Sequence, residues 1–199
     1  AFSGPVGGQK IKSLDSVSVY PSSHYVAEKE TLKRSVEKIR KELEERIKYF
    51  ENSGKLIEAQ RIKERVTQDL AMLETAGYCS GIENYSRYIT NREEGETPPT
   101  LMDYFGDDFL VIVDESHVTL PQIKGMFRGD RARKEVLVKY GFRLPSALDN
   151  RPLNFDEFIA KTDKVMFVSA TPKEYEIEQV SEIIELINRP TGLLDPLPQ

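Results

Sequence analysis

Two adjacent carboxylates followed by serine and histidine, Asp114-Glu115-Ser116-His117, stand at the end of an apolar run, Phe109-Leu110-Val111-Ile112-Val113. Hydrolysis of a phosphoanhydride needs a magnesium ion and an oriented water. In that chemistry Asp114 would hold magnesium, through water, and Glu115 would act as general base on the attacking water. His117 would lie beside the nucleotide and couple its state to neighbouring elements. An Asp-Glu pair alone is a common acidic turn; its place behind a buried-type strand and ahead of Ser-His gives the functional reading. A second apolar run, Lys164-Val165-Met166-Phe167-Val168, ends at Ser169-Ala170-Thr171-Pro172. Ser169 and Thr171 carry small hydroxyls that could hydrogen-bond to the acidic loop. Alone, such a tetrapeptide is ordinary turn chemistry.

The phosphate end of this chemistry is absent from the sequence. No Gly-x-x-x-x-Gly-Lys-Ser/Thr occurs. Gly7-Gly8-Gln9-Lys10 has the wrong spacing and no helical pattern behind it. Without that loop no backbone cradle or lysine receives the β- and γ-phosphates. The chain alone is therefore expected neither to hydrolyse ATP nor to hold ATP or magnesium tightly.

Polyanion binding is a separate question. The net charge is −5, yet residues 122–151 hold eight Lys/Arg against three acids, and residues 152–199 hold nine acids against four bases. The densest part is Gly125-Met126-Phe127-Arg128-Gly129-Asp130-Arg131-Ala132-Arg133-Lys134. It reads equally as a phosphate-contacting surface or as a solvated helix start with Asp130 as N-cap. The segment from Gly81 to Tyr88 offers two tyrosines that could stack on unpaired bases; the plainer reading puts one in the core and the other at the surface. His24 and the lone Cys79 read as structural.

The elements that must position these residues follow from periodicity. Leu32, Val36, Ile39, Leu43, Ile47 and Phe50 draw one apolar stripe on a helix from about 27 to 50. Ala27 stands where a capping residue is wanted, so the start is expected to be frayed or shifted. Asn52-Ser53-Gly54 is a stop signal. A second stripe follows on Leu56, Ala59, Ile62, Val66, Leu70 and Leu73, ended by Gly77. A turn this short predicts an antiparallel helical hairpin over 27–75. Ser16 to Tyr20 reads as a short strand and Ala1 to Gln9 as a linker or junction. Short helices are expected at 82–89 and 100–104. The two apolar runs read as parallel strands buried on both faces, separated by a crossover with an insertion. Composition, 39% hydrophobic and 31% charged, fits a soluble globular chain. No apolar run is long enough for a bilayer, and a single cysteine excludes an internal disulfide and suits a reducing cytosol.

The two boxes resemble motifs II and III of superfamily 2 helicases in order and context. A narrower likeness lies in Cys79-Ser80-Gly81-Ile82-Glu83-Asn84-Tyr85-Ser86-Arg87, Thr100 to Tyr104, the Asp114 box and Arg128 to Lys134. It continues in Gly141-Phe142-Arg143-Leu144-Pro145-Ser146-Ala147-Leu148-Asp149-Asn150-Arg151-Pro152 and Arg189 to Pro196. Together these resemble the UvrB family over nearly the whole chain, roughly Val17 to Pro198. The resemblance implies a cytoplasmic role in bacterial nucleotide excision repair, with damaged DNA, UvrA and UvrC as partners. It also implies a weak DNA-stimulated ATPase that clamps one strand beneath a β-hairpin.

The implied fold is α/β: part of a RecA-like P-loop NTPase domain with an inserted, mainly helical subdomain. The implied divisions are a junction at 1–16, the helical subdomain at 17–108, and part of the first RecA-like domain at 109–199 with a basic insertion at 122–152. Catalytic and nucleotide roles fall on Asp114, Glu115, His117, Ser169 and Thr171, with magnesium at Asp114 in a complete protein. Tyr85, Arg87, Arg65, Arg131, Arg133 and Arg143 become candidates for the DNA path, and Glu83 a candidate partner for the β-hairpin. The phosphate loop, the β-hairpin, most of the UvrA-binding part and the second RecA-like domain have no counterpart here, so the chain reads as an internal segment. The alternative is an inactive UvrB-like interaction module of the transcription-repair coupling type, which the intact acidic box disfavours.

Overall fold

The computed structural model describes Ser16, Tyr25, residues 27–186 and Gly192. The strand expected at Ser16 to Tyr20, the 1–9 junction, His24 and the segment from Arg189 to Pro196 lie outside the described residues, apart from Ser16 and Gly192.

Two long helices lead. In α1 (Lys29–Asn52) the stripe buries Val36, Ile39, Leu43 and Phe50; in α2 (Leu56–Ala76) it buries Ala59, Ile62, Val66, Leu70 and Leu73. The chain turns between them at Ser53-Gly54-Lys55, where Gly54 takes φ +71° and the Lys55 N–H returns to Phe50 O at 2.9 Å. Glycine suits the left-handed position because it has no Cβ to clash. Gly77, φ +70°, closes α2 with its N–H on Leu73 O. The helices pack along each other: Arg40 pairs with Glu74 at 2.7 Å, and Leu32 near the start of α1 reaches Gly77 at the end of α2. Helix α1 starts at Lys29 with no side-chain cap. Leu56 departs from its expected place in the stripe. It is 66% exposed, because as the first residue of α2 it projects beyond the shared core.

A 3₁₀ turn (Ile82–Tyr85) and α3 (Ser86–Ile89) close this core with Ile82, Tyr85 and Ile89, beside Cys79. A second 3₁₀ turn spans Leu101–Tyr104. Strands β1 (Leu110–Val113) and β2 (Lys164–Phe167) pair in parallel, Val111 opposite Val165 and Val113 opposite Phe167. Between them run α4 (Ser116–Lys139), a 3₁₀ turn (Pro145–Asp149) and α5 (Phe155–Ala160); α6 (Glu174–Gln179) follows β2. The crossover is what a parallel pair requires.

Two expectations are overturned here. The strands are not buried on both faces. Leu110, Ile112 and Met166 are exposed, while Val111, Val113, Val165 and Phe167 face a second core with Leu120 and Phe158. Among the described residues, helices cover this sheet on one side only. Asp130 is not an N-cap either. Helix α4 runs straight past it, through Pro121, Gly125 and Gly129. Pro121 lacks the N–H that would bond the His117 carbonyl, yet the helix continues, and Asp130 pairs with Arg133 and Lys134 instead.

Helix α4 spans about 36 Å at 1.5 Å per residue, from the acidic box to the long helices. At its far end Arg46 Nη2 donates to Val138 O at 3.0 Å and Arg61 Nη1 to Tyr140 O at 2.6 Å. Cations there meet the negative end of the helix dipole. Gly141, φ +71°, passes so near α2 that a Cβ would lie 2.5 Å from Glu58 O. Leu144 then plugs into the long-helix core. No described helix is long and apolar enough to cross a membrane.

Candidate functional site

The end of β1 delivers Asp114 and Glu115, both exposed. Glu115 takes φ +46°, ψ +47°, a left-handed conformation unfavourable for a residue with a Cβ. Its N–H bonds Asp114 Oδ1 at 3.0 Å, and Thr119 Oγ1 donates to Asp114 O at 2.8 Å. Ser116 is fully buried, and its N–H donates to Val168 O at 3.0 Å, extending the β1–β2 pairing by one step. The next residue, His117, turns its ring toward Ser169: Nδ1 lies 2.7 Å from Ser169 Oγ and 3.4 Å from Glu115 Oε2. Ser169 Oγ also accepts the Thr171 N–H at 3.1 Å. The structure thus brings Asp114, Glu115, His117 and Ser169 to one sheet end. Thr171 reaches it through its backbone, with an exposed side chain.

One residue of this site was missed. Glu176, on α6, is 4% exposed; its Oε1 accepts the Ser116 hydroxyl at 2.8 Å and its Oε2 the Lys173 N–H at 3.1 Å. Burial pushes the Glu176 carboxyl up, but the bonds from Ser116 and Lys173 outweigh it and hold it below the ordinary value. The sequence signal was faint: an acid at the third position of a short helix after Thr171-Pro172, where acids are common for capping alone.

Magnesium takes oxygen ligands, often one or two carboxylates completed by water and phosphate. Asp114, exposed, oxygen-only and beside Glu115, fits that donor set. Among the described residues no group of three His, Cys, Asp or Glu forms a self-contained metal cage.

The basic residues divide. A cavity of about 440 Å³ opens between α4, the 82–85 turn and the chain around 150, lined by Arg133, Lys134, Arg143 and Arg151 against Glu83 and Asp130. Asp130 engages Arg133 at 3.0 Å and the buried Lys134 at 2.8 Å, and Glu157 engages Arg151 at 2.7 Å. Arg143 donates only to the neighbouring Phe142 O, so its charge has no carboxylate partner among the described residues. Arg133, Arg143 and Glu83 therefore share one cavity. Arg131 is exposed outside it and pairs with Glu135 at 2.7 Å. Arg65 bonds Asp69 and Ser80 O beside Gly81.

Two DNA-path candidates are internal. The Tyr85 ring is 4% exposed and its hydroxyl donates to Asp69 Oδ2 at 2.7 Å, with burial pushing its pKa up. The 3₁₀ turn aims it into the core, so it offers no face for stacking. Arg87 lies between Asp149 at 2.8 Å and Glu42 at 3.6 Å and also donates to Tyr88 Oη, so its charge is spent inside the protein. Tyr88 is half-buried against the same core, its phenol pushed up to about 12 mainly by burial.

Residues 30–91 match the family model of the UvrB third helical domain. The chain is 58% identical over 95% of its length to UvrABC system protein B of Bacillus cereus, of which the match covers 29%. It is 59% identical, with the same coverage, to that of Staphylococcus haemolyticus, and 58% to that of Carboxydothermus hydrogenoformans, of which 28% is covered. Over nearly its whole length the chain is similar to one segment of the UvrB family. It spans under a third of the length of the relatives it matches.

Proposed function

We propose that this chain contributes the water-activating half of a nucleotide site, and part of a DNA-contacting surface, to a UvrB-type nucleotide-excision-repair protein. The observation that carries the first part is the 2.7 Å contact between His117 Nδ1 and Ser169 Oγ. It joins the two motifs across neighbouring strand ends, at the edge where open parallel sheets place ligands. Asp114 would hold magnesium, which when bound with ATP neutralises phosphate charge. Glu115, exposed and fixed by its own strained backbone, orients and deprotonates the attacking water. His117 and Ser169 relay the occupancy of the site to β2. In this reading residues 109–199 belong to a RecA-like domain, and the two long helices form the hairpin of an inserted subdomain. The phosphate cradle must come from elsewhere, so the chain alone does not turn over ATP. Magnesium-dependent turnover by the pure chain, abolished in Glu115→Gln, would contradict that.

For DNA, Arg133, Arg143 and Glu83 line the shared cavity, Arg131 extends the basic surface on α4, and Arg65 stands beside Gly81, just before the turn that carries Glu83. Tyr85 and Arg87 act from within the fold, Tyr85 through Asp69 and Arg87 through Asp149 and Glu42. Damaged DNA is the ligand, one strand clamped, with UvrA and UvrC as partners of the complete cytoplasmic protein. The test is binding of a fluorescent single-stranded oligonucleotide by anisotropy across a salt series. Each phosphate contact on single strands contributes about −0.7 to the log–log salt slope. An Arg133→Ala/Arg143→Ala variant is expected to bind more weakly and to flatten the slope by about 1.4. A variant curve superimposed on the unaltered one would remove this cavity from the DNA path.

A further inference from the structure

Glu176 belongs to neither motif, yet it is tied to the residue between the proposed base and the histidine. We infer that Glu176 is a positioning residue: through Ser116 it fixes the backbone of Glu115 and the orientation of the His117 ring. The inference rests on the hydrolytic reading of the acidic box.

Ser116 has no solvent exposure, and both its polar handles are engaged: the N–H by Val168 O, the hydroxyl by Glu176 Oε1 at 2.8 Å. Its neighbour Glu115 holds a left-handed backbone, which persists only when the surroundings over-determine it. Two fixed points do so. Asp114 Oδ1 holds the Glu115 N–H, and Ser116 is clamped immediately behind. His117 follows directly, so rotation of the Ser116 peptide would carry its ring away from Ser169. A glutamate suits the task because its two oxygens serve two donors, Ser116 on one side and the Lys173 N–H on the other. Since Lys173 follows Pro172, the same carboxylate ties the loop of the second motif to the helix that begins in the first. A buried hydroxyl left without its acceptor would be costly in itself, so removing Glu176 favours a shifted Ser116.

The test reads the ring, not turnover. The sequence has two histidines, His24 and His117, so long-range ¹H–¹⁵N spectra of the full chain resolve Nδ1 and Nε2 of His117, assigned with a His24→Gln variant. Glu176→Ala and Ser116→Ala are each expected to displace the His117 ring nitrogens and the Glu115 amide in the same direction. The double variant is expected to move them no further than either single one. Glu176→Gln keeps an acceptor for Ser116 but loses the one for Lys173. It is expected to move the amides of α6 and leave the His117 ring where it was. A purely structural role in docking α6 gives the other pattern, with Glu176→Ala disturbing α6 while His117 and Glu115 stay at their original positions; that result overturns the proposal. Should Glu176→Ala fail to fold, Ser116→Ala against Glu176→Gln decides by the same signals. The hydrolytic reading fails separately, if Glu115→Gln leaves magnesium-dependent ATP turnover intact in a complete protein that carries the phosphate loop.

Discussion

The long-helix region and the sheet region use apolar residues in different ways. Among the described residues, the first gathers fourteen buried residues into one cluster, from Val36 to Leu144; the second buries three, Val113, Leu120 and Phe158, with partly exposed neighbours around them. A helix satisfies its backbone within itself and needs cover along one stripe. A two-stranded parallel sheet has two open edges and two faces, and here one face carries Leu110, Ile112 and Met166 into solvent. The helical region thus encloses its own core, whereas the residues proposed for chemistry sit on the less enclosed part. Regions that must bind and respond are generally drawn from the lower-stability end.

The largest effect expected from this difference is at Phe50, which has no exposure at the turn end of α1. Phe50→Ala is expected to cost about 3–5 kcal/mol, read by urea denaturation of the helical signal. Val113→Ala in the sheet cluster removes two methyl groups from a looser site and is expected to cost about 1–2 kcal/mol. Equal losses at the two positions would dissolve the contrast.

Next is Arg87, 12% exposed between Asp149 and Glu42. Glu42 also accepts the Ser146 N–H at 2.8 Å, so this network anchors the 145–149 turn to α1. Arg87→Ala leaves two buried carboxylates without their cation and is expected to cost roughly 3 kcal/mol, as for other broken buried pairs. Arg131→Ala removes an exposed i,i+4 pair and is expected to cost under about 0.5 kcal/mol. A thermal-denaturation pair with similar shifts would mean that the Arg87 network is solvated.

The helical stripes, their glycine stops, the short helical turns and both strands were legible because each rests on local pattern. What stayed hidden was context. Every position of Phe109 to Val113 is apolar, and such a run carries no record of which face is covered. Helix α4 could not be read past Pro121, Gly125 and Gly129, since each lowers helix propensity, whereas contacts from other elements hold it along its length, at Leu120, Ile123, Lys124 and Phe127. At the site, Asp114, Glu115, His117 and Ser169 were visible as motifs. Glu176 was not, because its meaning lies in a contact sixty residues away in sequence, with Ser116. The spacing of Tyr85 and Arg87 said nothing of their direction; Asp69, Asp149 and Glu42 decide it from other elements.

Acid should separate the regions by sign. The Arg151 guanidinium and the Asn154 and Thr97 donors hold Glu157 down at about 2. A depressed carboxylate stabilises the fold above its unfolded value, and that contribution is lost as pH falls from about 4.5 to about 2. Glu42 is the reverse. Burial raises it, so the folded state prefers its protonated form, and stability around α1 rises as pH falls toward 4.5 from above. Hydrogen exchange corrected for intrinsic rates should show α1 amides gaining protection on mild acidification. Amides of α5 should lose it only below about pH 4.5. Parallel loss in both regions from neutral pH downward would refute the assignment of Glu42.

The smallest effect gives the sharpest comparison, because it uses adjacent residues. Ile112 is 60% exposed and Val113 5% exposed, since successive strand residues face opposite sides. Threonine keeps the branched Cβ that strands favour, so substitution alters the side chain and leaves the ladder intact. Ile112→Thr is expected to change stability by under about 0.5 kcal/mol, within the usual range for surface positions. Val113→Thr places a hydroxyl against Leu120 and Phe158 with no partner, at a cost of about 1–3 kcal/mol. If Ile112→Thr proves as costly as Val113→Thr, the outer face of the sheet is covered in solution, and the long-helix region is no longer the more enclosed of the two.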